Sequence, residues 1–157
     1  MSYLKAKNLS EILIAKSMTI AVAESCTGGS LSNSLTSISG ASSYFNCGFI
    51  TYSNQSKIDM LGVSSESIEM YGAVSEKVAH EMVVGAGLKS HSNLAVSITG
   101  IAGPSGGTAA KPVGMVCFGF FFDGDVTTTT QFFSGARSEI VAQSNSYALT
   151  ELSSKFL

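Results

Sequence analysis

The segment AESCTGG, Ala23 to Gly29, sets a carboxylate, two hydroxyls and a thiol at the end of an apolar run and follows them with two glycines. The run TIAVA reads as a buried strand, and SLSNSLTSI reads as a helix. Strand, tight turn and helix together can hold a hydroxyl or thiol at a helix N-terminus, where free backbone N–H groups point at whatever it attacks. Ser25 and Cys26 are therefore both candidate nucleophiles. A Ser/Thr-rich helix cap without chemistry accounts for the same residues.

A serine nucleophile needs a base. The only histidines are His80 and His91. His80 projects off the apolar stripe of its helix, and His91 falls at or past the helix end, so both read as solvated. This argues against a Ser-His-Asp or Cys-His arrangement and against a histidine-based metal site. Lys57, in TYSNQSK, is an alternative, because a lysine desolvated in a cleft loses proton affinity and can serve as base for serine. Tyr52 would sit where a strand ends and a helix begins, placed to orient the lysine or to hydrogen-bond a substrate. A solvated helix lysine and an amphipathic strand-end tyrosine fit the same spacing.

Two further features suggest an anion. The loop GIAGPSGG, Gly100 to Gly107, carries four glycines in eight residues directly after a strand. Such a loop lets backbone approach a ligand, and successive N–H groups can cradle a phosphate. It is neither a Walker A loop nor a dinucleotide fingerprint, and a plain surface loop would look alike. Lys111 near its end is open to three roles: phosphate partner, second candidate base or surface charge. Arg137, the only arginine, falls in the first turn of the last helix. A cation there opposes the helix dipole unless a bound phosphate or carboxylate reverses the sign.

The elements that must position these residues follow from periodicity. Leu9, Ile12 and Leu13 mark a first helix, and Thr19 to Ala23 a strand. A helix through Leu31 and Leu35 stops near Gly40. Tyr44 to Tyr52 is aromatic and β-branched, as a strand would be. SNQSKIDMLG makes a short helix ending at Gly62. Ser75 caps a helix whose apolar face is Ala79, Met82, Val83 and Ala86. Asn93 to Thr99 is a strand. Val113 to Phe122 and Val126 to Phe133 form a hairpin around DGD. The last helix carries Val141, Ala148 and Leu152 on one face. The expected fold is α/β: three layers, α/β/α, around a mixed, mostly parallel sheet with a C-terminal hairpin.

At 157 residues the chain is expected to form one domain, residues 1–157. A net charge of −2 and the absence of a basic stripe argue against nucleic acid as a partner. No membrane span or signal-peptide core is evident. Cys26, Cys47 and Cys117 are odd in number and form no CxxC pair, which suits a reducing cytoplasm and no structural metal. With only 13% charged residues, part of the surface is expected to be covered in a homo-oligomer.

Taken together, AESCTGG, GFITYSNQSK, GAVSEKVAHEM, SITGIAGPSGG and KPVG resemble, in order and spacing and over nearly the whole chain, the CinA C-terminal domain family, which includes the bacterial nicotinamide-nucleotide amidases. The resemblance implies hydrolysis of the carboxamide of nicotinamide mononucleotide to nicotinate mononucleotide and ammonia, in pyridine-nucleotide recycling and without metal or cofactor. It places the nucleophile on Ser25 and the base on Lys57, with Tyr52 beside them. Glu24, Thr27, Gly28 and Gly29 would line the same turn, with the Thr27–Gly29 amides as oxyanion donors. Thr99, Gly100, Gly103 and Arg137 would complete the substrate site. The chain departs from the family's pattern at Ala136 and Ala142, where an aspartate and a second arginine are common. Larger family members carry an N-terminal domain, and this chain resembles the stand-alone form. A non-catalytic nucleotide-binding or interaction module is the competing expectation, and Cys26 competes with Ser25.

Overall fold

The computed structural model describes residues 2–157. The elements are α1 (Ser2–Lys16), β1 (Ile20–Glu24), α2 (Ser30–Thr36), β2 (Phe45–Ile50), α3 (Asn54–Leu61), α4 (Ser65–Tyr71), α5 (Glu76–Ser90), β3 (Leu94–Gly100), β4 (Met115–Phe122), β5 (Asp125–Phe132) and α6 (Arg137–Ser154). The five strands form one sheet in the order β2-β1-β3-β4-β5. β1 pairs parallel with β2 and β3, and β4 pairs antiparallel with β3 and β5. Only β4 therefore runs against the other four, giving the mixed, mostly parallel sheet expected.

The alternation of strand side chains assigns the two faces. Ile20, Val22, Val96, Ile98, Phe118 and Phe120 pack with Leu9 and Leu13 of α1, Leu31 and Leu35 of α2, and Ile140, Leu149 and Leu152 of α6. Ala23, Ala95 and Phe121 face the other way, against Leu61 of α3 and Val78, Met82, Val83 and Ala86 of α5. The second face is built from small residues, so α5 lies close to the sheet. A Cβ on Gly119 would come within 2.6 Å of the Ala79 carbonyl oxygen, and the buried Ser97 hydroxyl donates to that same carbonyl at 2.6 Å.

Several boundaries differ from the sequence reading. The aromatic strand is shorter at both ends, because Tyr44 closes a 3-10 turn (Ala41–Ser43) and Thr51 and Tyr52 lie beyond β2. β4 starts at Met115 rather than Val113, since Gly114 takes a φ of +94°. Helix α4 was not expected. It has only seven residues and a single buried one, Ser67, so its periodicity is too weak to read. On α6 the core face runs through Ile140, Ser144, Asn145, Ala148, Leu149 and Leu152, with Val141 at its edge.

The strand order makes the site. From β1 the chain crosses to β2 on one side, and later returns to β3 on the other. The carboxyl ends of β1 and β3 thus lie together at a switch in direction, where open α/β sheets bind ligands.

Candidate active site

Ser25 follows the last residue of β1 and is fixed from both sides. Its N–H donates to Ile98 O of β3 at 3.0 Å, while Glu24 O accepts from Thr51 N, just past β2, at 2.8 Å. Helix α3 is capped by Ser53, whose hydroxyl accepts from Ser56 N, and its first turn carries Lys57 inward. Lys57 is only 1% exposed. Its Nζ lies 3.0 Å from Ser25 Oγ, 2.8 Å from Thr51 O and 3.2 Å from Tyr52 O. No carboxylate pairs with it among the described residues.

This geometry determines what Lys57 can do. As an ammonium it has three donors for three acceptors. Once neutral, its two remaining N–H groups satisfy the carbonyls of Thr51 and Tyr52, and its lone pair is left facing Ser25 Oγ. Burial pushes the Lys57 ammonium below the ordinary lysine range, with the nearby Cys26 acting weakly in the other direction. The elements therefore produce a serine hydroxyl in hydrogen-bond contact with an amine predisposed to take its proton.

An open cleft lies over this pair. It is lined by Ser25, Cys26, Tyr52, Asn54, Lys57, Ala73, Val74, Thr99, the Gly100–Gly103 run, Ser105, Gly106 and Arg137. The lining holds the Arg137 guanidinium and no carboxylate, a field that favours an anion. Arg137 spans the rim: Nη1 donates to Gly103 O at 2.8 Å and Nη2 to Tyr52 Oη at 2.8 Å. The amides of Gly103, Ser105 and Gly106 have no protein acceptor among the described residues, so this side of the cleft offers free donors. The Thr99 hydroxyl donates to Ala73 O at 2.9 Å and ties the opposite wall to β3.

Geometry bears on one of the two open choices and burial on the other. Lys111 does not line the cleft, and its Nζ donates to the carbonyls of Tyr71 and Val74. Cys26 does line it, but burial pushes its thiol up to about 11. It is a poor source of thiolate at neutral pH.

Four residues expected at the substrate do not line the cleft. The Glu24 carboxylate is fully buried and accepts from Gly29 N, Leu31 N, Ser32 N and the Ser32 hydroxyl. Gly28 and Gly29 take φ of +58° and +101°, so their role is to let the chain turn from β1 into α2. The Gly28 amide donates to Ser25 O and the Gly29 amide to Glu24, which removes both from oxyanion duty. The Thr27 hydroxyl is buried without a partner among the described residues. Within this turn only the amides of Cys26 and Thr27 donate to no other residue.

Asn54, Ala73, Val74 and Ser105 were missed by sequence reasoning, although each lies inside or beside a block already singled out: TYSNQSK, GAVSEK or GPSGG. Their residue types carry no chemical signal of their own.

Residues 3–156 match the CinA C-terminal domain. The chain belongs to the CinA C-terminal domain family. It is 47% identical over 146 residues to a protein of Enterobacter agglomerans named nicotinamide-nucleotide amidohydrolase PncC, covering 92% of this chain and 89% of that one. It is 54% identical over 113 residues to a CinA-like protein of Chloroherpeton thalassium, covering 72% of this chain and 27% of that longer one. In three dimensions it resembles the competence/damage inducible protein CihA of Agrobacterium tumefaciens, with a TM-score of 0.95 and 38% identity over 98% of this chain and 94% of that one. The cleft at the ends of β1 and β3 is thus set in a CinA-family fold throughout.

Proposed function

We propose that this cleft hydrolyses the carboxamide of nicotinamide mononucleotide to nicotinate mononucleotide and ammonia, as one step of pyridine-nucleotide recycling. The observation that carries the reading is the 3.0 Å contact between Ser25 Oγ and a buried Lys57 whose other two donors are held by carbonyls. The name of the Enterobacter relative supports the substrate class.

Ser25 Oγ attacks the carboxamide carbon while Lys57 takes the hydroxyl proton. The amide of Cys26 holds the oxyanion in this scheme. Collapse breaks the C–N bond, and the Lys57 ammonium returns its proton to the leaving nitrogen, which departs as ammonia. Water then attacks the acyl-serine while Lys57 accepts a proton from it; collapse breaks the ester C–O bond, Lys57 returns that proton to Ser25 Oγ, and nicotinate mononucleotide is released. Tyr52, Arg137 and the free amides of the Gly100–Gly106 stretch hold the nucleotide phosphate, so binding far from the amide positions the reacting carbon. Residues 1–157 act as one domain in this reading, in a reducing cytoplasm that keeps Cys26, Cys47 and Cys117 free. Nucleic acid and membrane play no part in it, and among the described residues no helix is long and apolar enough to cross a membrane. Homo-oligomerisation would cover exposed apolar side chains such as Met70, Phe132 and Leu88, and light scattering on the purified chain tests it.

The deciding experiment is ammonia release from nicotinamide mononucleotide, with nicotinamide and nicotinamide riboside as comparisons. We expect release from the nucleotide, loss in Ser25→Ala, and retention in Cys26→Ala. Full activity in Ser25→Ala would overturn the mechanism. Binding of the nucleotide without release by the wild type would favour a non-catalytic nucleotide-binding module.

A further inference from the structure

Glu24 is the one carboxylate beside the nucleophile, and it does not face the cleft. Its side chain reaches back to the start of α2. The N-cap of that helix is Gly29, which has no side chain to satisfy the first amides. Glu24 Oε1 accepts from Gly29 N at 3.3 Å and Leu31 N at 3.0 Å. Oε2 accepts from Ser32 N at 2.9 Å and Ser32 Oγ at 2.6 Å. Every partner is a donor, so the ionised carboxylate is fully satisfied although it is 0% exposed. The sheet makes room for this pair, because a Cβ on Gly48 of β2 would lie 2.7 Å from Ser32 Oγ.

The main chain of the same residue holds the other half of the site. Glu24 O accepts from Thr51 N, and Thr51 O in turn accepts from Lys57 Nζ. One residue therefore ties the turn after Ser25 to its own side chain and ties the carbonyl that holds Lys57 to its own backbone.

We propose that Glu24 is a positioning residue, whose carboxylate fixes the Ser25 turn relative to α2 and so sets the alignment of the nucleophile with Lys57. It contacts no substrate. The kinetic part of this inference rests on the amidase reading given above, and a second readout does not.

The test uses the full chain with Glu24→Gln and Ser32→Ala, assayed on nicotinamide mononucleotide, alongside hydrogen exchange of the α2 amides. Glu24→Gln keeps the shape but sets an amide donor against the Ser32 N–H. Displacement of a reacting group by about 1 Å can cost on the order of 100-fold. We expect kcat to fall about 10- to 100-fold, KM to stay within about twofold, and the Leu31 and Ser32 amides to lose protection. Ser32→Ala, which deletes one of the four bonds, should give a smaller fall in kcat, again with KM unmoved. A raised KM at unchanged kcat would mean that Glu24 meets substrate and would overturn the inference. Wild-type kcat in both variants would overturn it as well. If Glu24→Gln does not fold, kcat of Ser32→Ala decides. If the wild type releases no ammonia from the nucleotide, the amidase reading fails by itself. Amide protection then decides for Glu24, and unchanged protection in the variants refutes its role.

Discussion

At the scale of single residues, Lys57 carries most of the chemistry proposed for the cleft, and its protonation state has a definite sign. As the proposed base it must be neutral, and burial holds its proton affinity below that of an ordinary lysine. The rate should therefore rise with pH along one ionisation and level off before the pH at which free lysine titrates, about 10.4. A kcat/KM profile on nicotinamide mononucleotide measures this, and a rising limb at the free-lysine value would contradict it. In the proposed reaction Arg137 belongs to the binding side of the site. Arg137→Ala removes the cation that bridges Gly103 O and Tyr52 Oη. We expect KM for the mononucleotide to rise about tenfold or more, as loss of a charged hydrogen bond of about 1.5–3 kcal/mol implies. The riboside, which lacks the phosphate, should show a much smaller change in kcat/KM. Equal losses on both substrates would place Arg137 elsewhere in the reaction.

At the scale of elements, the proposed base is only as well placed as α3, and α3 is held by α5. A Cβ on Gly85 of α5 would overlap the Leu61 carbonyl at the end of α3. Gly85→Ala should push α3 outward, costing about 1–3 kcal/mol by overpacking and lowering kcat by moving Lys57. Denaturant melts and steady-state kinetics on the same preparation check both parts, and wild-type kcat in a destabilised variant would separate them. Helix α6 presents the opposite opportunity. Ala136 is its N-cap in extended backbone without a side-chain acceptor, and the Glu139 carboxylate covers only the Ala136 amide. Ala136→Ser should stabilise the chain by about 1 kcal/mol, read as a shift in the urea midpoint. Most elements were legible in the sequence because their periodicity survives in few residues: Ala79, Met82, Val83 and Ala86 mark the buried face of α5, as read. Helix α4 was not, since seven residues with one buried serine give no stripe to recognise.

At the scale of the whole molecule, the site weighs on stability. A buried Lys57 without a carboxylate partner is disfavoured as an ammonium, so its native proton affinity lies below the unfolded one. Between these two values the unfolded chain binds more protons, and stability contributed by this residue rises with pH. Below both values the penalty is present in full. Relative to Lys57→Met, the wild type should therefore gain stability as pH is raised from neutral toward about 10.4. Urea unfolding of both proteins across that range checks the sign, and a gap independent of pH would show that Lys57 titrates alike in both states.

The sequence by itself determined the order of the strands and of every helix but α4, the case against histidine chemistry and the blocks that hold Ser25, Tyr52, Lys57 and Arg137. These depend on residue type and local spacing, which a linear chain displays. Tertiary structure alone decided which charged groups face one another. Lys57 and Lys111 are equivalent lysines in the sequence, yet one is 3.0 Å from Ser25 Oγ and the other is bound to the carbonyls of Tyr71 and Val74. Glu24 is adjacent to Ser25 in the chain but points away from the cleft, because successive side chains of a strand alternate between its faces and the uncapped start of α2 supplies the donors that a buried carboxylate requires.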